Sequence, residues 1–247
     1  MNILFVFAHQ DDEIAGATRM LRARRDGDHV QCAYLTDGAF RVAASIRNEE
    51  SRRALARLGV TDILFGTSPD GNLPEHAHEA LAFLESQVGR VDEVYTLAWE
   101  GGHQDHDAAH LVALAFAQRR GVPCHEMPLY NGYRTPHSYF RVMHPLGNGW
   151  TTRRVSLADG LRVVGLLPLY RSQRKTWLGL LPETFLKLVI ARREFVREAD
   201  RRRLAAKPHA GLLFYERRFG YAYERFAKAV LLLVYPERTE GSPAAPP

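Results

Sequence analysis

Two short clusters of histidine and carboxylate side chains contain the residue types in this chain that could do chemistry. In the first cluster, His9, Asp11 and Asp12 come directly after the apolar run 3–7. Helix capping explains one carboxylate at such a place, and a structural hydrogen bond explains a lone histidine, but neither explains all three together. The cluster therefore offers two potential metal ligands and a third group that can accept a proton.

The second cluster, which contains His103, Asp105 and His106, follows another apolar run about a hundred residues later. A carboxylate there could cap the next helix, but capping requires no pair of histidines three residues apart. Catalytic zinc typically takes three protein ligands and leaves a fourth position for water. His9, Asp12 and one of the two later histidines make such a set, and these nitrogen and oxygen donors also suit iron, cobalt or manganese.

The elements that must position these clusters alternate between short apolar runs and amphipathic stretches. Strands are predicted over residues 2–8, 29–36, 61–66, 92–98 and 122–129, and helices over 13–26, 45–58, 75–89 and 105–119. This alternation predicts an α/β fold of the Rossmann-like type, with a mostly parallel sheet and helices on both faces. Both clusters then follow the carboxyl ends of parallel strands, so they can face one crevice.

The second half of the chain predicts a different organisation. Glycine and proline break residues 131–155 into loops, and helices are predicted over 157–174, 183–206 and 221–235. We therefore expect a Rossmann-like catalytic core over residues 1–155 and a mainly helical extension of the same domain over 156–240. The proline-rich residues 241–247 are expected to form a disordered tail.

Composition is typical of a soluble globular protein, with 46% hydrophobic and 25% charged residues. No apolar run is long enough to span a membrane, and no secretory signal is visible. Cys32 and Cys124 lie in predicted strands, and two buried thiols suit a reducing compartment, so we expect a cytoplasmic protein.

Charge is divided unevenly between the two halves of the chain. Residues 1–120 contain 12 Lys and Arg against 18 Asp and Glu, whereas residues 121–247 contain 21 against 10. The acidic half suits a cation site and the basic half an anionic partner, unless its arginines are simply solvated. No nucleic-acid partner is expected, because no recognised basic motif with stacking aromatics is present.

Both clusters also resemble the signatures of a known family. Ala8-His9-Gln10-Asp11-Asp12-Glu13 resembles the Ala-His-Pro-Asp-Asp-Glu motif of the PIG-L/LmbE family of zinc-dependent N-deacetylases, and His103-Gln104-Asp105-His106 resembles its His-Pro-Asp-His motif. The similarity extends over roughly residues 2–175 and includes Thr36-Asp37-Gly38, Arg47-x-x-Glu50 and the weaker element Tyr170-Arg171-Ser172-Gln173.

The resemblance implies a role for each matching residue. It implies that His9, Asp12 and His106 bind Zn²⁺, with Fe²⁺ or another divalent metal as alternatives, and that Asp11 is the general base. It further implies that His103 stabilises the oxyanion or protonates the leaving amine.

Four other polar residues are expected near the reacting groups. Asp105 is expected to orient the ring of His103. The resemblance favours Asp37 and Arg47 as groups that bind sugar hydroxyls, although Asp37 could instead form a turn and Arg47 could be a surface helix residue. Gln10 stands where the family has proline, and its added polar group could alter substrate choice.

Two departures from the family pattern concern residues beside the second signature. Gln104, like Gln10, replaces a proline, and proline donates no ligand, so the chemistry is expected to survive. Some family members carry a tyrosine close before this signature that helps to stabilise the tetrahedral intermediate. Here Gly101 and Gly102 precede His103, so any such residue must come from elsewhere in the chain.

The substrate implied by the resemblance is an acetamido-sugar conjugate, an N-acetylglucosamine unit carried on another group. Two alternatives stay open: a non-catalytic or vestigial member that binds an anionic glycan or lipid, and a deacetylase or amidase that acts on a non-sugar metabolite. The intact pair of clusters favours the enzyme.

Apolar segments of the basic half suggest a peripheral membrane contact and a lipid-linked substrate. Residues 178–181, 185–190 and 230–234 are flanked by cationic side chains, a pattern that suits a helix lying in a membrane interface. These cations are Lys175, Lys187, Arg192, Arg193, Lys228 and Arg238. The same segments could instead be buried helices or a subunit interface, so a homo-oligomer is an alternative.

Overall fold

A central sheet organises the protein in a computed structural model that describes residues 1–136, 139–230 and 233. Within these residues the strands are β1 (Asn2–Phe7), β2 (His29–Thr36), β3 (Asp62–Ser68), β4 (Glu93–Leu97), β5 (Cys124–Met127), β6 (Tyr130–Asn131), β7 (Arg141–Val142), β8 (Thr151–Arg154) and β9 (Arg193–Glu198). Seven of them form one sheet in the order β3-β2-β1-β4-β5-β9-β8, and β6 pairs with β7. The first five strands are parallel, which confirms the predicted fold class.

Helices cover both faces of this sheet. They are α1 (Ala17–Arg25), α2 (Ala44–Arg57), α3 (Ala77–Gln87), α4 (Gln104–Arg120), α5 (Leu157–Val164), α6 (Arg174–Phe185), which continues as a π helix over Leu186–Ile190, α7 (Phe214–Phe219) and α8 (Tyr223–Val230). Short 3₁₀ helices occupy Asp12–Ala15, Leu73–His76, Leu167–Leu169, Arg171–Gln173 and Arg201–Ala205. No helix within the described ranges is long and apolar enough to cross a membrane.

The alternation of side chains along β1 builds two hydrophobic cores. Ile3, Phe5 and Phe7 pack with α1 and α2 on one face of the sheet, while Leu4 and Val6 pack with α3 and α4 on the other. Such two-sided burial requires the nearly continuous apolar run seen in the sequence. Both cysteines are buried and free, as the sequence predicts.

The helix predicted over residues 183–206 is wrong in its second half. Residues 193–198 form β9, which pairs antiparallel with β5 on one side and with β8 on the other. A strand at this place forms hydrogen bonds with the free edge of β5, whose backbone groups a helix would leave unpaired. The predicted loop 131–155 correspondingly contains β8.

The helix predicted over 157–174 ends at Val164, and two 3₁₀ turns follow it. Residues 223–230 of the helix predicted over 221–235 form α8. Tyr235, Arg238 and the predicted tail 241–247 lie outside the described residues. The division into a core over 1–155 and an extension over 156–240 stays a prediction.

A buried ion pair anchors β9 to the parallel sheet. Glu126 of β5 is fully buried and lies 2.5 Å from the guanidinium groups of Arg197 and Arg203. Its second oxygen accepts a hydrogen bond from the backbone N–H of Trp99 at 3.0 Å. Because Arg197 is also buried, removal of Glu126 would leave a charge without compensation.

We therefore predict that Glu126→Ala lowers the free energy of unfolding by about 3–5 kcal/mol, the typical cost of breaking a buried ion pair. Urea denaturation measures this change. Glu85→Ala is the matched control, because Glu85 pairs with Arg119 at 2.5 Å on the surface and should cost less than about 1 kcal/mol. Equal effects of the two substitutions would contradict the anchoring role of Glu126.

Candidate metal centre

The two sequence clusters meet at one point of the sheet. β1 and β4 are parallel neighbours, and the strand order changes direction between them. His9 lies two residues after β1, and His103 is the N-cap of α4 in the segment that follows β4. Ligands of open α/β sheets bind at such a switch point, outside the carboxyl ends of the strands.

Three side chains converge there with the spacing of a metal ligand set. His9 Nδ1 lies 3.2 Å from His106 Nε2, while Asp12 Oδ1 lies 3.1 Å from His106 Nε2 and Asp12 Oδ2 lies 3.6 Å from His9 Nδ1. Ligand atoms about 2.0–2.1 Å from a tetrahedral zinc are about 3.3 Å apart, so these atoms fit the expected group. His9 and His106 hold the pKa of Asp12 well below its usual range, against the effect of burial.

The charges around this point also fit a cation. Asp11, Asp12, Asp70 and Asp105 surround His9 and His106, whereas Arg47 is the cation that contacts them. Two further groups of possible ligands, His9 with His103 and His106 and His9 with Asp70 and Asp105, have donor atoms within 4.8 Å of one another. We favour His9, Asp12 and His106 because each of the three side chains lies within 3.6 Å of the other two and the two signatures supply them.

Asp105 contacts a different histidine from the one expected. Its carboxylate lies 3.0 Å from His9 Nε2 and accepts backbone hydrogen bonds from Gly71 and Leu73. Its backbone N–H, not its carboxylate, contacts the ring of His103. A carboxylate on the far nitrogen of a ligand histidine orients the ring and fixes its tautomer.

His103 is held as a hydrogen-bond donor toward the pocket. Its Nδ1 accepts the backbone N–H of Asp105 at 3.1 Å, so the proton of the neutral ring is on Nε2. Burial, with His9 and His106 beside it, lowers the pKa of His103 to about 3. The ring also makes an edge contact with Phe219, at 4.9 Å between ring centroids.

Asp11 adopts a strained backbone conformation that only surrounding contacts can maintain. Its φ of 126° is unusual for a residue with a side chain. The backbone N–H donates to Glu13 at 3.1 Å, and Arg47 holds the Oδ1 atom of Asp11 at 2.9 Å. Burial, and the neighbouring Asp12, raise the pKa of Asp11 to about 7, although Arg47 opposes the shift.

Of the residues expected to bind substrate, Arg47 lines the pocket, whereas Asp37 stabilises a neighbouring loop. Arg47 lines the pocket, but it is buried and contacts Asp11, Asp70 and the backbone of Gln10. Asp37 accepts the backbone N–H groups of Ala39 and Asp70, so it shapes the loop.

Gln10 lies behind the pocket rather than in it. Its side chain is fully buried, and its amide donates to Asn48 at 2.8 Å and to the backbone of Thr36. The turn geometry directs Gln10 toward α2 while Asp11 faces the cavity, so direct contact of Gln10 with substrate is not supported.

Several pocket residues have no clear signal in the sequence. Asp70 follows β3 in a Pro-Asp-Gly segment typical of a turn, yet its carboxylate lies 3.3 Å from His9 Nε2. Its position after a third parallel strand is the signal that could have found it. The other such residues come from distant parts of the chain: Phe40, Leu129, Tyr130, Thr176, Leu180 and Phe219. Gln173, the last residue of the Tyr170-Arg171-Ser172-Gln173 element, also lines the pocket.

The Tyr170-Arg171-Ser172-Gln173 element connects the second half of the chain to the site. The hydroxyl of Tyr170 donates to Glu13, the residue that holds the backbone of Asp11. Ser172 donates to Glu50 through its backbone N–H at 2.9 Å and its hydroxyl at 2.6 Å. Glu13 and Glu50 are therefore supports rather than ligands.

The fold and the site together define a Rossmann-like protein with a candidate metal centre at its switch point. Residues 4–117, just under half of the chain, match the family model described as PIG-L, GlcNAc-PI de-N-acetylase, and both signatures lie in this range. This match confirms the resemblance found in the sequence. No curated protein sequence matches the chain significantly.

Solved structures share this fold at low sequence identity. A deacetylase of teicoplanin biosynthesis aligns with a TM-score of 0.61 and 17% identity, covering 81% of this chain and 99% of that one. N,N'-diacetylchitobiose deacetylase from Pyrococcus horikoshii aligns with a TM-score of 0.56 and 17% identity, covering 85% of this chain and 87% of that one. A 4-carboxy-2-hydroxymuconate hydratase from Pseudomonas putida aligns with a TM-score of 0.51 and 12% identity, covering 81% of this chain and 96% of that one. Because a hydratase shares the fold with deacetylases, the reaction must be argued from the site.

The ligand set can be tested by metal affinity. Asp12→Asn should lower the affinity for Zn²⁺ by more than about 100-fold, because it removes a charged ligand rather than a supporting group. His103→Ala should leave the affinity nearly unchanged. Competition with a chromogenic chelator measures both, and circular dichroism verifies folding.

The alternative ligand sets give different results in the same titration. A set of His9, His103 and His106 predicts that His103→Ala loses the metal, and a set of His9, Asp70 and Asp105 predicts that Asp12→Asn keeps it. Either outcome would replace the assignment favoured above.

Proposed function

We propose that this protein is a metal-dependent N-deacetylase that hydrolyses the acetamido group of an N-acetylglucosamine-type sugar conjugate. The observation that carries the proposal is the convergence of His9, Asp12 and His106 beside the Asp11 carboxylate in one pocket. The match of residues 4–117 to the PIG-L family model supports the reaction class, and proteins with this fold that act on teicoplanin and diacetylchitobiose support a sugar conjugate.

The donor set suits Zn²⁺ and also accepts Fe²⁺ or another divalent metal, with His9, Asp12 and His106 as its ligands. When bound, the metal supplies a water molecule of lowered pKa and polarises the amide carbonyl. Asp105 keeps His9 in the tautomer that presents Nδ1 to the centre, because it accepts the Nε2 proton.

Asp11 carries the proton through the reaction. Its Oδ1 is occupied by Arg47, while Oδ2 has no hydrogen bond within the described part of the chain and can accept a proton from the attacking water. The same proton then passes to the leaving nitrogen as the C–N bond breaks, which yields acetate and the free amine. A pKa of about 7 suits a group that must both accept and return a proton.

His103 stabilises the charge that develops on the carbonyl oxygen. Its Nε2–H is directed away from the backbone contact at Nδ1, and the ring is adjacent to both ligand histidines. Of the two roles that the family resemblance implies for His103, this geometry favours the oxyanion donor, which contributes about 10²–10³-fold to kcat.

The pocket argues against a vestigial member that binds an anion. Asp11, Asp12 and Asp70 line the cavity, and these carboxylates would repel an anionic ligand. The strained backbone at Asp11 costs about 1–3 kcal/mol, and passive binding gives no reason to keep it. Phe40, Leu180 and Phe219 add apolar walls that suit the face of a sugar ring.

Replacement of Asp11 should separate catalysis from metal binding. We predict that Asp11→Asn lowers kcat by about 10²–10⁴-fold, the usual contribution of a general base, while one equivalent of metal stays bound. Acetate release from diacetylchitobiose and from acetamido-glycopeptides measures the activity. Asp62→Asn, at the opposite end of the sheet, is the control and should have wild-type activity. Full activity of Asp11→Asn would disprove the proposed mechanism.

Metal removal should abolish the activity reversibly. We predict that treatment with a chelator eliminates acetate release and that up to one equivalent of Zn²⁺, Fe²⁺ or Co²⁺ restores it. Metal should not be added in excess, because a teicoplanin deacetylase with this fold is described in a zinc-inhibited form. Acetate release only from non-sugar acetamides would support a metabolite amidase, and no release from any acetamide by the metal-loaded protein would support a non-catalytic member.

A further inference from the structure

One face of the second half exposes large apolar side chains next to unpaired cations. Six large hydrophobic residues on α5, α6 and the π helix are between 40% and 62% exposed: Leu157, Leu161, Leu178, Phe185, Leu186 and Ile190. We call this surface the basic apolar face. Soluble proteins rarely place so many large apolar side chains in solvent within one short segment.

Four of these side chains belong to two helices that pack closely against each other, α5 and the π helix. The backbone of α5 contacts the π helix at Gly160, where a Cβ atom would lie 2.4 Å from the carbonyl oxygen of Leu188. Leu157 and Leu161 are one turn apart on α5, and Leu186 and Ile190 are one turn apart on the π helix. Each of the two helices that meet at this close approach therefore carries one exposed apolar pair.

The stretch of chain that forms this helix contact is rich in cationic side chains. Residues 153–193 contain nine basic residues and two acidic ones. The basic residues are Arg153, Arg154, Arg162, Arg171, Arg174, Lys175, Lys187, Arg192 and Arg193, and none of them forms an ion pair within the described structure. Of the two acids, Asp159 pairs with Arg25 at 2.7 Å, and Glu183 accepts the backbone N–H of Val142.

Several arginines lie at one end of the face. Arg154 is opposite Arg193 in the pairing of β8 with β9, and the backbone N–H of Val155 donates to the carbonyl of Arg192 at 2.9 Å. Leu157 and Ile190 are each two residues from this contact. Apolar and cationic groups are therefore adjacent in space as well as in sequence.

The combination of charges and apolar groups selects one occupant for the face. A second copy of the chain would bring two strongly positive surfaces together, which costs energy. A nucleic acid would use the cations but gain little from exposed leucine and isoleucine. An anionic bilayer satisfies both, because its headgroups attract the cations and its acyl boundary accepts the apolar side chains.

We propose that the basic apolar face binds the surface of an anionic lipid membrane. Leu157, Leu161, Leu186 and Ile190 enter the boundary between headgroups and acyl chains, and the surrounding lysine and arginine side chains contact lipid phosphates. α6 also supplies Gln173, Thr176 and Leu180 at or beside its first turns to the pocket, so the bound face keeps the pocket near the bilayer. The proposal does not depend on the reaction that the site performs.

The third apolar segment that the sequence suggests for this role, residues 230–234, does not belong to the face. Its described members Val230 and Leu233 are buried in the hydrophobic core that also contains residues of α3 and α4. Leu180, Leu188 and Val189 of the other two segments are also buried, and they anchor the face to the protein.

Vesicle sedimentation tests the proposal with the wild-type protein. Vesicles of phosphatidylglycerol and phosphatidylcholine in equal amounts should sediment the protein at 50 mM salt, and 500 mM salt should weaken binding because the attraction is electrostatic. Pure phosphatidylcholine should bind at least about tenfold more weakly. Absence of binding to the anionic vesicles, or equal binding to both lipids, would overturn the proposal.

Paired variants locate the contact. Lys175→Gln with Arg193→Gln should lower the partition coefficient about 25-fold, at about fivefold for each cation. Leu161→Ser with Ile190→Ser should lower it roughly tenfold or more. The matched control is Ile46→Ser with Arg57→Gln, an exposed isoleucine and arginine on α2, which should bind as the wild type does.

Two results with these variants would contradict the assignment. One is equal vesicle binding by the face variants and the control variant, when all have the circular dichroism spectrum of the wild type. The other is a wild-type dimer in light scattering that the Leu161→Ser and Ile190→Ser pair converts to a monomer, because the face would then bind a second copy.

Discussion

The balance of charge around His9 is the constraint on which the rest of the site depends. Four carboxylates surround two buried histidines at the carboxyl ends of β1 and β4, and the contacting guanidinium of Arg47 cannot neutralise them all. Charges removed from water are costly unless they are paired or coordinate a metal. This part of the protein therefore has the electrostatics of a cation site, and the strained Asp11 is tolerated because Arg47 and Glu13 hold it.

The second half of the chain supports this arrangement through buried polar contacts. Tyr170 donates to Glu13, which holds the backbone of Asp11. Ser172 donates to Glu50, which lies on α2 together with Arg47. Glu126 fastens β9 to the edge of the parallel strands. Each contact joins residues distant in sequence, so Glu13, Glu50 and Glu126 gain these partners only when later parts of the chain fold onto them.

The predictable part of the site is the part encoded locally. His9 and Asp12 follow an apolar run, and His106 belongs to a second cluster of the same kind, so strand ends and parallel topology suffice to bring them together. Asp70 also follows a parallel strand, but Asp-Gly at such a place is typical of a turn, so its sequence context points to structure rather than to the site. Gln10 and Asp105 were expected to act on substrate and on His103, but turn geometry and the buried N-terminus of α4 direct them to Asn48 and His9.

The sequence by itself determined the alternation of strands and helices and the two signatures that carry the family resemblance, because periodicity and ligand spacing are local properties. Only the tertiary structure decided which atoms face each other. It turned residues 193–198 into β9, since the open edge of β5 outweighs helical preference there. It also left Leu157 and Ile190 exposed beside unpaired arginines while burying Val230, a distinction that depends on which faces find partners in the folded chain.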